Sequence, residues 1–263
     1  MSKIYAITNQ KGGVGKTTTC VNLAASLVAT KKRVLLIDVD PQGNATMGSG
    51  VNKDDIELSV YDVLVDDRSI TEAVKDSPDG NYSVLGANGD LTAAEVQLLE
   101  LPQKQFRLKK ALEAVDDLYD YVLIDCPPSL NMLTLNALVA CNGVIIPMQC
   151  EYYSLEGISA LVRTINQVQQ KLNPELSIEG IVRTMYDPRS SLTIEVSEQL
   201  KEYFGDKLYQ AVIPRNIRLA EAPSFGQPAI VYDRKSKGAI AYLALAGEFI
   251  RRSERLQKQV VNA

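Results

Sequence analysis

Short continuous apolar runs alternate with helical stripes along the chain. KIYAIT (residues 3–8) is an apolar run that predicts a strand. KTTTCVNLAASLVATKK follows, with Val21, Ala24, Leu27 and Val28 at helical spacing. RVLLIDVD then predicts a second buried strand, ending in Asp38 and Asp40. Strand, loop, helix and strand in this order form a βαβ unit, whose strands run parallel.

Further on, YDYVLIDCPPS predicts a third strand ending at Asp125, and GVIIPMQ a fourth. SIEGIVRTM and KLYQAVIP supply two more. LPQKQFRLKKALEAV and SLEGISALVRTINQVQQKL read as helices. A C-terminal helix is expected over about 236–260, with Ser236 as its cap and Gly238 blurring its start. Residues 51–90 are less regular, and DDIELSVYDVLVDDRSI predicts short helices and loops. The acidic stretch 54–79 gains no assigned role. With no repeats and no low-complexity linker, residues 1–263 are expected to form a single α/β domain. Its mostly parallel, doubly wound sheet would carry helices on both faces.

Composition narrows the function classes. The 263 residues are 46% hydrophobic, enough for a large core. No stretch reaches the length of a membrane span, and Met1 runs straight into the first strand without a secretory leader, so a cytoplasmic protein is expected. The four cysteines form no CxxC pair and there is no histidine. A disulfide framework or structural zinc site is therefore not expected. Acid–base chemistry near neutral pH falls to carboxylates, lysines or bound water. The net charge of −4 is uneven: residues 234–263 carry seven basic and two acidic side chains, a net of +5 that leaves −9 elsewhere. An acidic total thus does not exclude a basic face for nucleic acid or lipid.

NQKGGVGKTTT (residues 9–19) carries the chemistry. A glycine-rich turn between strand and helix lets backbone N–H groups approach a phosphate, and the helix N-terminus adds partial positive charge. Lys16 can reach β- and γ-phosphates, and the Thr17 hydroxyl can ligate Mg²⁺. The strict GxxxxGK[ST] pattern fails, because its first glycine falls on Gln10. GxGxxG is also incomplete, because its last position is Thr18. Asp125, at a strand end, can hold a magnesium-bound water, and Asp40 is placed to orient the attacking water or accept its proton. Asp38 competes for that role, its alternative being a buried carboxylate bonded to loop N–H groups. Pro41 and Gly43 make the Asp40 loop a candidate γ-phosphate switch. Lys11 has three open roles: a solvated lysine, a ligand of its own loop's phosphates, or a cation entering a neighbouring subunit's site.

KGGVGKTT resembles the deviant Walker A motif of the ParA/MinD group of ATPases. DVDPQGNAT, VLIDCPPSL and VIPRNIRLAEAPSFGQPAIVYDRKSKGAIAYLALAGE are similar to stretches of its ParA/Soj branch. The chain resembles the short form, without an added helix-turn-helix domain. The resemblance implies a P-loop ATPase with ATP and Mg²⁺ as cofactors. Lys11, Gly12, Gly13, Val14, Gly15, Lys16, Thr17 and Thr18 would bind the nucleotide, with Lys11 crossing a sandwich dimer to the partner's ATP. Lys11, Lys16 and Asp40 would serve catalysis; Thr17, Asp40 and Asp125 would surround the metal; Met185, Pro214 and Arg215 would lie near adenine.

The resemblance also implies partners: an ATP-dependent homodimer, double-stranded DNA bound without sequence preference, and a ParB-type centromere-binding protein that stimulates slow hydrolysis. The ATP-bound form would be nucleoid-associated, and the cycle would segregate chromosome or plasmid DNA. Arg189 and Arg218 fall in stretches similar to those carrying DNA contacts, and Arg251, Arg252, Arg255 and Lys258 would extend the face. A membrane-cycling MinD-like role fits poorly, because RRSERLQKQVVNA lacks the bulky apolar wedge that lipid needs. An iron–sulfur reductase would need converging ligand cysteines, and a related ATPase positioning other cargo would share the same chemistry.

Overall fold

The computed structural model describes residues 2–152 and 154–261, without the side chains of residues 155, 156 and 255–261. Eight strands form one sheet in the order β3-β4-β2-β5-β1-β6-β7-β8. They are β1 (Lys3–Ile7), β2 (Val34–Asp38), β3 (Lys75–Asp76), β4 (Ser83–Leu85), β5 (Tyr121–Asp125), β6 (Gly143–Gln149), β7 (Ser177–Tyr186) and β8 (Leu208–Pro214). Every pairing is parallel except the short β3–β4 contact. The six strands expected from apolar runs are present. β3 and β4 arise within the irregular stretch 51–90, where the sequence predicts only helices and loops.

Alternation along the strands divides the core in two. Ala6, Leu35, Ile37, Val122 and Ile124 face one apolar cluster. Tyr5, Ile7, Leu36, Tyr121 and Leu123 face the other. Helix α1 (Lys16–Val28) and the last helix (Lys237–Val261) pack together on the second face. The helices Met132–Ala140 and Ser154–Lys171 cover the first. The last helix starts where expected, and the Ser236 hydroxyl accepts the Ala239 N–H at 3.2 Å.

The central strands set the site. β1 lies between β5 and β6, and β5 lies between β1 and β2. The chain therefore turns into α1 beside the ends of β5 and β2, the crevice where open parallel sheets bind ligands. In register, Ile7 stands opposite Asp125, and Asp125 stands opposite Asp38.

Candidate functional site

The loop between β1 and α1 is shaped by its own glycines and braced by its neighbours. Gly13 and Gly15 have φ of +73° and +86°, which other residues adopt only with strain. Gly15 caps α1 without any side-chain hydrogen bond, which leaves the helix's first N–H groups without a side-chain cap. Asn9 anchors the start: its side chain donates to the Pro147 carbonyl at 2.8 Å and accepts the Lys11 N–H at 3.0 Å. From β7, the Thr184 hydroxyl donates to the Val14 carbonyl at 2.7 Å. From the end of β6, the Gln149 amide donates to the Gly13 carbonyl at 3.1 Å. These braces lie more than a hundred residues from the loop, and no local pattern marks them.

The two lysines behave differently. Lys16 is buried and folds back to donate to the Lys11 carbonyl at 3.1 Å. Burial lowers its pKa, opposed by the charges of Asp125 and Asp40. Lys11 points outward, with Nζ 2.6 Å from Glu151 and 3.5 Å from the Ser154 hydroxyl.

The acidic wall is built from β5 and β2. Asp125 is fully buried and accepts the Thr17 hydroxyl at 2.7 Å through one oxygen. Its other oxygen, Oδ1, has no hydrogen-bond partner. Burial and the neighbouring Asp38 charge raise the Asp125 pKa, against the Thr17 hydrogen bond. A buried carboxylate with one orphaned oxygen, beside a hydroxyl and under a cationic lysine, is a fitting donor set for a hard divalent cation. No cluster of three metal-ligating side chains exists among the described residues.

Asp38 takes the second of its two expected roles. It is fully buried and accepts the Asp40 N–H at 3.1 Å and the Thr46 N–H and hydroxyl at 2.8 Å each. Asp40 stands two residues beyond the end of β2, half-buried, with Oδ1 accepting the Gln42 N–H at 3.0 Å. Its charge reaches both Lys16 and Asp125.

Met185 sits near the end of β7 with φ +49° and accepts the Gln149 amide on its sulfur at 2.8 Å. Pro214 ends β8 opposite Tyr186, and Arg215 follows it, exposed. Arg189 is bidentate to Asp187, whose pKa the Arg189 hydrogen bonds pull down to about 2. Arg218 lies 2.7 Å from Glu221 and 3.4 Å from Asp233. Arg251 is exposed.

Arg252 already has partners within the fold. It pairs with Glu248 at 2.6 Å, donates to the Asp206 and Leu208 carbonyls at 2.7 and 2.8 Å, and covers the Tyr209 ring. Its guanidinium is used in holding the last helix to the sheet edge. The side chains of Arg255 and Lys258 lie outside the described residues.

The family model described as an AAA domain matches residues 2–178. The sporulation initiation inhibitor protein Soj of Bacillus subtilis is 56% identical, with 94% of this chain and 98% of that protein covered. The chromosome partitioning protein ParA of Myxococcus xanthus is 50% identical, with 96% and 89% covered. A crystal structure of cobyrinic acid a,c-diamide synthase from Mycobacterium smegmatis, with bound ATP analog and magnesium, superposes with a TM-score of 0.85. It is 38% identical, with 97% of this chain and 96% of that chain covered. ATP and Mg²⁺ are its cofactors. The chain belongs to the ParA/Soj/MinD superfamily of P-loop ATPases, and it hydrolyses ATP.

Proposed function

We propose that ATP binding joins two copies of this chain, that the dimer holds double-stranded DNA without sequence preference, and that hydrolysis releases it. A ParB-type centromere-binding partner would stimulate that hydrolysis, and the cycle would segregate chromosome or plasmid DNA from a nucleoid-associated state. The observation that carries the reading is the divergence of the two lysines: Lys16 folds into its own loop, while Lys11 holds its ammonium outside it. The outward lysine is available to a second subunit, and relatives similar over nearly the whole chain are named for chromosome partitioning.

In this reading Gly12 to Thr18 cradle the phosphates, and Lys16 neutralises charge on the β- and γ-groups. Thr17 and Asp125 hold Mg²⁺, with Asp40 nearby; the cation supplies electrostatic stabilisation of charge developing on the phosphates. Asp40 orients the attacking water or takes its proton, and Lys11 enters the partner's site. Met185, Pro214 and Arg215 border adenine. Arg189, Arg218 and Arg251 offer cationic side chains to DNA, although Arg189 and Arg218 must first leave half-buried carboxylate partners at the surface that hold them weakly.

The likeness to a diamide synthase does not displace this reading. Liberating nitrogen from an amide donor through a thiol nucleophile needs an accessible, low-pKa cysteine. All four cysteines are buried, and burial pushes Cys141 up to about 12 and Cys150 to about 11.

Light scattering and DNA co-sedimentation on one sample, with ATP, ADP or no nucleotide, test the proposal. Dimers and DNA binding with ATP alone are expected, with binding lost at about 0.5 M salt as phosphate contacts are screened. Arg218→Glu should weaken binding across all sequences and lower the salt slope by about one. ATP-dependent dimers that ignore DNA would instead point to another cargo.

A further inference from the structure

One buried carboxylate pins the Asp40 loop at both ends. Asp38 Oδ1 takes the Asp40 N–H, and Oδ2 takes the N–H and hydroxyl of Thr46, at the start of helix α2 (Asn44–Gly48). The Thr46 hydroxyl then accepts the Ala87 N–H at 2.9 Å, from the segment just after β4. Thr46 and Ala87 are both fully buried. Between the pins the turn is tight: the Gly43 N–H donates to the Asp40 carbonyl at 2.9 Å. Gly43 itself sits at φ +65°, and a Cβ there would lie 2.7 Å from the Ala87 carbonyl oxygen. The loop therefore rests directly on the Ala87 segment, and one hydroxyl joins that platform to the end of β2.

We propose that Thr46 is a positioning residue for ATP hydrolysis: its hydroxyl, shared between Asp38 and Ala87, sets the turn from which Asp40 faces the attacking water. The inference rests on the reading of Asp40 as the water-orienting group. Removing the hydroxyl strands the buried Ala87 N–H and takes one donor from Asp38. The loop relieves that loss by shifting, and Asp40 shifts with it. Nucleotide binding is spared, because the phosphates are held by the glycine loop and Lys16. A misplaced water-orienting group therefore lowers kcat and leaves KM in place.

Thr46→Val keeps the side chain's shape and the backbone N–H bond to Asp38 while removing the hydroxyl; Thr46→Ser keeps the hydroxyl. ATP turnover and ADP affinity are measured for both, alone and with Asp40→Ala. Thr46→Val should lower kcat about tenfold with KM and ADP affinity within about twofold, while Thr46→Ser stays within about threefold of the parent. In the Asp40→Ala protein, adding Thr46→Val should change kcat by less than about twofold, because no carboxylate remains to be placed. An impaired Asp40→Ala beside a fully active Thr46→Val would overturn the role of Thr46 alone. So would a Thr46→Val that loses ADP affinity in step with kcat, or that lowers kcat equally in both backgrounds. Asp40→Ala turning over at the parent rate would overturn the Asp40 reading and the Thr46 inference together.

Discussion

Lys11 and Lys16 are five residues apart and share one glycine loop, yet their surroundings separate their roles. Lys16 is only 7% exposed, and its partner at rest is a neutral carbonyl, so its charge is uncompensated by any direct ion pair. An anion arriving in the loop would supply what burial removed, which would give Lys16 the phosphate affinity proposed for it. Lys16→Ala should weaken ADP binding by about tenfold or more, read by calorimetry, because a charge-assisted contact is lost from a buried site. Lys11 is ion-paired to Glu151 with both side chains partly in water, at 37% and 51% exposure. Such a pair holds its members loosely, and Glu151→Gln should change unfolding free energy by less than about 1 kcal/mol. Lys11→Ala should keep ADP affinity within about threefold and abolish the ATP-dependent dimer, since a lysine acting in the partner's site contributes nothing to its own. Equal loss of ADP affinity in both lysine variants would place Lys11 on its own phosphates.

The elements around the site were legible where burial makes strands uniform. β1, β2, β5 and β6 read as continuous apolar runs because helices cover both faces of the sheet. β3 and β4, of two and three residues, are too short to carry a period. The helix Met132–Ala140 hides for the opposite reason: it is buried nearly all round and shows no stripe. In the helix Ser191–Phe204, two of the four buried residues are the polar Thr193 and Ser197, which blurs its apolar face. The phosphate loop and both strand-end aspartates were visible as local motifs, whereas Asn9, Gln149, Thr184 and Thr46 act through contacts that only the folded sheet creates. The partners of Arg252 are hidden in the sequence for the same reason. Its partner Glu248 accepts the Gln210 and Ala211 N–H groups of edge strand β8 at 2.9 Å each, so the pair closes that edge with the last helix. Burial pushes the Glu248 pKa up, but those two N–H groups and Arg252 outweigh it and leave it below its ordinary value of 4.5. Stability from the ionised form is therefore complete above that value and fades as pH falls through the lower folded one. Glu248→Ala should cost about 2 kcal/mol in urea unfolding at pH 7. The gap between its curve and the parent's should narrow as pH falls below the ordinary carboxyl value of 4.5, and a gap constant with pH would refute the linkage.

At the scale of the whole molecule, the nucleotide site and the Arg218 segment are joined by packing as well as by sequence. Asn22 on α1 donates to the Thr18 carbonyl at 2.8 Å and accepts the Ala229 N–H at 2.7 Å, bridging the phosphate loop's helix to the C-terminal stretch. Thr19 and Tyr242 share a buried hydrogen bond of 3.1 Å one turn away. Beyond the Asp40 loop, the backbone at Gly50 meets Gly226 so closely that a Cβ on Gly226 would lie 2.9 Å from the Gly50 Cα. Residues 216–232 thus rest on α1, which follows the glycine loop, and on the chain just past α2, which follows the Asp40 loop. A ligand that binds only the folded form adds about 2.7 kcal/mol at a hundredfold excess over its Kd, and amides that open with the site gain that protection. Hydrogen exchange with saturating Mg–ADP should therefore slow at residues 226–232 as well as in the loop, and leave β3 at the far edge unchanged. Asn22→Ala removes the acceptor from the Ala229 N–H, and should abolish the slowing at 226–232 while the loop keeps its own. Protection confined to residues 9–19 in the parent protein would mean that the C-terminal stretch rests on α1 without sharing its opening, and that any signal from nucleotide to Arg218 must pass through the proposed dimer instead.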